Sequence, residues 1–200
     1  MKKISLTLYY KLRKLKIKIK LYLEIIIFEI MKRIGVISDT HGTFDEVLRD
    51  FLRDVDEIWH AGDIGSIELA DEIAKFKPLR AVYGNIDGGD TRYAFQPFAF
   101  FKVEEVPVLI THIGGYPRHY SPQALAKIQA SHPKIFISGH SHILRVEYDK
   151  IYDLLHLNPG AAGCYGFHKV RTALRFTIDG ETIKDMELGE WPRVGHKVQF

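Results

Sequence analysis

Two histidines one residue apart close the segment KIFISGHSH, Lys134 to His142. The apolar run Ile135-Phe136-Ile137 reads as a buried strand that stops by Gly139, and His140 and His142 follow. Residues i and i+2 of extended chain point to one side, so both imidazoles can reach a common object, and a metal ion is the natural candidate. With ten histidines in 200 residues the pair alone says little, and the other ligands must come from elsewhere. Five more side chains stand in the same kind of place. Asp39, His41, Asp63, Asn85 and His112 each follow an apolar run within a few residues. Ligands in open α/β sheets bind beyond the carboxyl ends of the strands, so these seven side chains are expected to share one rim.

The composition of the set narrows the chemistry. Four imidazoles with two carboxylates suit Mn, Fe, Co, Ni or Zn better than Mg or Ca. Seven donors exceed what one ion needs if it must also hold substrate, whereas two ions sharing a bridging carboxylate use them well. Asp63 is the expected bridge, because a carboxylate has two oxygens and a neutral imidazole one free lone pair. Two divalent ions with two carboxylates leave a charge of +2. A bridging hydroxide lowers this to +1, which matches the single negative charge of a phosphodiester. Two ions about 3.5–4 Å apart stabilise both the attacking and the departing oxygen of an in-line displacement at phosphorus.

The elements that must position these residues alternate. Arg33–Ser38, Glu57–His60 and Leu79–Tyr83 read as strands, with helices over Phe44–Phe51, capped by Thr43, and Ser66–Phe76. Phe98–Val103 and Val108–Thr111 read as a strand pair turned around Pro107. A helix over Pro122–Ala130 precedes the strand at 134–138. Leu144–Tyr148, Leu154–Leu157, Arg171–Ile178 and Thr182–Leu188 complete a strand-rich second half. The expected fold is one α/β domain, two sheets packed together with helices outside.

SDTHG, HAGD, YGNID, LITHIGG and ISGHSH, in this order, resemble the calcineurin-like metallophosphoesterase superfamily, and within it the small YfcE-type phosphodiesterases. The resemblance covers about residues 31–188. It implies a four-layer αββα sandwich and a dinuclear site. Asp39, His41, Asp63 and His142 would hold one ion, and Asp63, Asn85, His112 and His140 the other. The NPGAAG block at 158–163 also resembles the family, where it lies near the site rim. Two positions depart from the pattern. Ile86 stands where larger members carry a His that contacts phosphate and assists the leaving group. His112-Ile113-Gly114 stands where small members commonly read His-Gly-His; Arg118 and His119, a few residues on, are candidate phosphate contacts.

Other histidines receive plainer readings: His60 and His156 as packed strand residues, and His132, His168 and His196 as surface or loop residues. Asp87 is either an acceptor behind the ligands or a turn residue. Cys164, the only cysteine, is expected to be small and buried. A lone cysteine forms no internal disulfide and fits a reducing compartment, so a cytoplasmic location is expected.

Charge sets residues 1–30 apart. They carry eight basic and two acidic residues, net +6, whereas 31–200 carry 20 and 23, net −3. Lys14 to Lys20 alternates Lys with Leu or Ile at a strand-like period. Glu24 and Glu29 interrupt the apolar part, so a membrane span does not fit. Met31-Lys32-Arg33 opens a well-formed strand and could itself be a start; the arm is expected to carry no function, and residues 31–200 to be the metallophosphoesterase domain.

The resulting expectation is an enzyme acting on small phosphodiesters with two divalent ions, Mn foremost, through a bridging hydroxide. No stable nucleic-acid complex is expected, and self-association is left open. The rival is a non-catalytic or weakly catalytic scaffold of the same fold, as in the related retromer subunit. All seven positions keep ligating side chains here, which favours the enzyme.

Overall fold

The computed structural model describes residues 13–20, 31–167 and 169–193. His168, His196 and most of the basic arm lie outside these residues. The chain divides into two compact units, Met1–Met31 and Lys32–Phe200. In the first, residues 13–20 form a helix, α1, not the strand that their alternation suggests. An alternating run becomes a strand only where a neighbour takes its backbone hydrogen bonds. A helix satisfies them internally, and Lys and Leu are good helix formers.

The second unit holds every candidate ligand. Its first sheet is built on β1 (Lys32–Ile37), β2 (Glu57–His60) and β3 (Leu79–Ala81), which run parallel. The helices α2 (Glu46–Phe51) and α3 (Ile67–Phe76) connect them. Two antiparallel strands, β11 (Val170–Asp179) and β12 (Thr182–Pro192), extend the sheet beyond β1. The second sheet has a parallel centre of β5 (Val106–Thr111), β8 (Ile135–Ile137) and β10 (Leu154–Pro159). Its antiparallel edges are β4 (Phe98–Val103) and β9 (Leu144–Asp149). The central strands are buried on both faces, which is why they read as continuous apolar runs.

The sheets pack face to face. Ile34, Val36, Trp59 and Phe176 of the first meet Val108, Ile110, Ile137 and Leu157 of the second in one cluster. The Trp59 indole lies edge-on to Phe101 and Phe176, with ring centroids 5.2 and 5.8 Å away. On the outer face of the first sheet lie Leu48, Leu52 and Ile73 from the α2 and α3 regions. On that of the second, Ala124 and Ile128 of α5 (Pro122–Ser131) pack against Leu109 and Phe136. The layers are αββα, as expected.

Three local readings are corrected. Asp45, not Thr43, caps α2: it accepts from Leu48 N–H at 3.2 Å and also binds Arg171 through both Nη atoms at 2.6 and 2.9 Å. Only a carboxylate can serve both partners at once. Pro107 lies inside β5 opposite Lys102, and the turn falls at Glu104-Glu105, where Glu104 takes a left-handed conformation (φ 50°). A proline is tolerated in a strand wherever the ladder does not call on its N–H. Cys164 is half-buried, not buried. Two short elements have no sequence signature: α4 (Gly89–Ala94) and the hairpin of β6 (Gly115–Tyr116) with β7 (His119–Tyr120).

Candidate metal centre

Both parallel sets of strands run toward the same rim. Asp39 and His41 follow β1, Asp63 follows β2, Asn85 follows β3, His112 follows β5, and His140 and His142 follow β8. The two sheets are stitched together there. His140 N–H donates to Asp39 Oδ2 at 3.1 Å, Gly163 N–H to Asp39 O at 3.0 Å, and His112 Nδ1 lies 2.7 Å from Ala61 O.

All seven expected side chains come together. On one side, His142 Nε2 lies 3.3 Å from His41 Nε2 and 3.1 Å from Asp39 Oδ1. On the other, His112 Nε2 lies 3.0 Å from Asn85 Oδ1 and 3.3 Å from Asp63 Oδ1, and the His140 and His112 rings are 5.2 Å apart. The potential ligand atoms of Asp39, His41 and His142 lie within 4.8 Å of one another, as do those of Asp39, Asp63 and His112.

These groups fit cations by their hydrogen-bond chemistry. His112 donates through Nδ1 to Ala61 O, which leaves the Nε2 lone pair facing two oxygens that are themselves acceptors. Acceptors crowded around one point repel unless a proton or a metal lies between them. Asp39 is fully buried, and its Oδ1 accepts no hydrogen bond among the described residues although His142 Nε2 is close. A buried carboxylate oxygen left this way is a natural metal donor. The two rings shift in opposite directions, each for its own cause. Burial works against a charged His112, but hydrogen bonding to Asp63 and the charges of Asp39 and Asp63 outweigh it and hold its pKa above the usual value. Burial pushes the His41 pKa down, leaving its ring neutral and able to ligate.

The backbone is strained to achieve this convergence. Asp39, His41, Asp63, His140 and His142 all adopt left-handed conformations, with φ between 45° and 67°. Such residues cost on the order of 1 kcal/mol each and concentrate at functional sites. Space is equally tight: a Cβ on Gly84 would overlap Asp63 Oδ1 and the Asp63 amide nitrogen.

Several supporting residues hold the ligand loops. Asp87 accepts from Gly84 N–H at 2.7 Å, Ile64 N–H at 3.1 Å and Gly65 N–H at 2.9 Å. Of its two readings it takes the first: it clamps the Asp63 loop to the Asn85 loop. Arg92 of α4 donates to the carbonyls of Gly84, Asn85 and Asp87 and stacks over Tyr83. No sequence signal marked Arg92, because its helix has none. Asn158 of the NPGAAG block donates to Gly139 O at 2.9 Å and Ser141 Oγ at 3.1 Å, fixing the loop that carries His140 and His142.

His60 is fully buried and packed, as read. Gly62 N–H donates to its Nδ1 at 3.1 Å, so Nε2 carries the proton and donates to Thr40 Oγ1 at 2.8 Å. His156, also buried, meets Ser138 Oγ at 3.0 Å, and His132 caps α5 at the surface. Arg118 and His119 stand on the β6–β7 hairpin. Arg118 Nη2 lies 3.6 Å from Glu147, and the His119 ring lies against Tyr116 at 4.9 Å. Neither lines the cavity above the ligands. That cavity, of about 560 Å³, has His41, Asp63, Asn85, His140 and His142 on its floor and Ile86, Ile143, Tyr165 and Phe167 on its walls.

Among known proteins, a probable metallophosphoesterase of Methanothermobacter thermautotrophicus is 33% identical over 135 residues, 64% of this chain and 76% of the relative. An archaeal phosphodiesterase of solved structure superposes with a TM-score of 0.63 at 23% identity, covering 80% of this chain and 99% of that one. Vacuolar Protein Sorting 29 from Cryptosporidium parvum superposes with a TM-score of 0.64 at 17% identity, covering 82% and 99%. At these identities the structural likenesses speak for the fold. Residues 31–181 match the family model of the calcineurin-like phosphoesterase superfamily domain, and that span carries both sheets' parallel strands and all seven clustered donors. The chain therefore belongs to the calcineurin-like phosphoesterase superfamily, a family of metal-dependent phosphoesterases.

Proposed function

We propose that the chain is a phosphodiesterase whose seven donors hold two divalent ions, Asp39, His41, Asp63 and His142 around one and Asp63, Asn85, His112 and His140 around the other. The observation that carries this reading is the pair of close-packed carboxylate–imidazole clusters, with His41, Asp63 and His142 of them lining one cavity. Asp39 is common to both close-packed groups, but it is fully buried, whereas Asp63 lines the cavity. On this reading Asp63 is the carboxylate that both ions would share. When bound, such ions acidify a water for attack on phosphorus and offset the charge that develops there. The chain's own residues fix the donors, exclude side reactions by burial and seat the ester arms.

A diester suits the cavity better than a monoester. Among its described lining residues there is no Lys or Arg. A monoester dianion calls for extra positive charge that a diester monoanion does not. The four imidazoles favour Mn, with Ni, Co, Fe or Zn as alternatives over Mg. With one cysteine in the chain, a reducing cytoplasm and small diffusible substrates complete the reading. A binding scaffold, the alternative, would have no use for five strained donor backbones.

The test is chelation, dialysis and reconstitution, with hydrolysis of bis(p-nitrophenyl) phosphate and elemental analysis as readouts. The expected result is negligible turnover without metal, two ions per chain on reloading, and Mn²⁺, Co²⁺ or Ni²⁺ exceeding Mg²⁺. Undiminished activity in the metal-free protein, or hydrolysis confined to monoesters, would overturn the proposal.

A further inference from the structure

The walls of the cavity differ in kind from its floor. Ile86 and Ile143 are 51 and 62% exposed, Tyr165 is 54% exposed, and Phe167 is wholly exposed. Four large, half to wholly exposed side chains thus rim a set of metal-type donors. Scattered exposed apolar residues need no explanation, but a cluster on the rim of one concave site does. Two of the four are aromatic, and both come from the loop between β10 and β11 that follows the NPGAAG block.

From this juxtaposition we infer that Tyr165 and Phe167 are specificity-determining residues that seat a planar aromatic ester group, a nucleobase or an aryl ring, beside the phosphate. The inference rests on the phosphodiesterase reading for the position of the phosphate. A concave site with an apolar wall and a few convergent polar groups is what an amphiphilic small ligand requires, and about 560 Å³ is in the usual range for one. Aromatic side chains hold bases by their faces without calling on hydrogen bonds. That fits walls of Ile86, Ile143, Tyr165 and Phe167, to which, among the described lining residues, the hydroxyls of Tyr165 and Ser141 add polar groups. A macromolecular partner fits less well, because a stable protein interface needs a contiguous patch of roughly 800 Å² per partner, not a cleft rimmed by four side chains. An aliphatic arm would gain burial from Ile86 and Ile143 but nothing specific from the two rings.

The experiment measures binding to the Mn²⁺-reconstituted full chain by titration calorimetry, with the 5′-methyl phosphodiester of adenosine (the mononucleotide probe) and the 5-methyl phosphodiester of ribose as probes, both monoanionic alkyl diesters. The two share the phosphate and its charge and differ by the base. The mononucleotide is expected to bind at least about 5-fold more tightly, the lower end of what stacking on an aromatic side chain supplies. Phe167→Ala and Tyr165→Ala should each narrow that ratio, and the double variant should abolish it. Tyr93→Ala, at an exposed aromatic on α4 away from the cavity, should leave the ratio intact. Equal affinities for the two probes, no measurable binding of the mononucleotide probe, or hexyl methyl phosphate binding as tightly as the mononucleotide probe would each overturn the inference. Hydrolysis of bis(p-nitrophenyl) phosphate by the same preparation reports separately on the phosphodiesterase reading. Turnover without base preference sinks the aromatic seat alone; base preference without turnover sinks the diesterase alone.

Discussion

The backbone amide of Ile86 donates to Asp63 Oδ1 at 3.0 Å while the Ile86 side chain lines the cavity. The position therefore orients the central carboxylate through its main chain, whatever side chain it bears. Isoleucine can neither donate a proton nor hydrogen-bond phosphate, and a positioned general acid typically contributes about 10²–10⁴-fold. A steep dependence on leaving-group pKa is expected, with aryl diesters cleaved readily and unactivated alkyl diesters poorly. Ile86→His keeps the amide and should flatten the slope. The check is kcat/KM over a graded series of diesters for both proteins; a flat series in the unmodified chain would mean that another group supplies the proton.

Asp63→Asn should lower kcat by roughly 10³-fold or more, the scale of removing a central electrostatic element. His60→Ala should lower kcat far less and show itself mainly in thermal unfolding. His60 touches Thr40 and the Gly62 amide, behind the ligands, and removing a buried hydrogen-bonded group costs about 1–3 kcal/mol. Equal losses of kcat in the two variants would contradict the ligand assignment.

Gly84→Ala tests the packing beneath Asp63. The new methyl group would overlap the Asp63 carboxylate and amide, so the carboxylate must move. Metal affinity or activity should fall by about 10–100-fold, as for other perturbations of groups that orient ligands. Metal titration of the folded variant measures it. Wild-type affinity would show that the loop can give way.

Stability should fall on acidification within a defined window. Burial pushes the pKa of His60 and of His156 from 6.5 down to about 4 in the folded chain. The unfolded chain therefore takes up these protons first, and the stabilisation present above pH about 6.5 is lost as pH falls toward 4. The expected outcome is a melting temperature that declines across this window and a shallower decline in His156→Phe. A flat profile from pH 7 to 4.5 would argue that both rings are solvated.

A chain starting at Met31 is expected to fold and to hydrolyse diesters like the full chain. All seven donors and both sheets lie within the unit that begins at Lys32. A large drop in melting temperature on truncation would show that the arm supports the fold.

The sequence by itself determined the seven clustered donors and the strands that present them. Central parallel strands are buried on both faces, so Ile34–Ile37 and Ile135–Ile137 stand out as unbroken apolar runs, and polar residues at their ends mark the rim. Other features belonged to the tertiary structure alone. Alternation in Lys14–Lys20 could not say whether a neighbouring strand would be present, and none is needed by the helix that forms. Thr43 and Asp45 are both acceptable caps locally; Arg171, more than 100 residues away, selects Asp45. Arg92 finds its role only because β3 delivers the carbonyls of Gly84 and Asn85 to it. The apolar walls came from three separate loops, after β3, after β8 and after the NPGAAG block. Local patterns encode periodicity and turn chemistry, whereas long-range contacts choose among equally good local options, and only the folded sheets bring those loops to one rim.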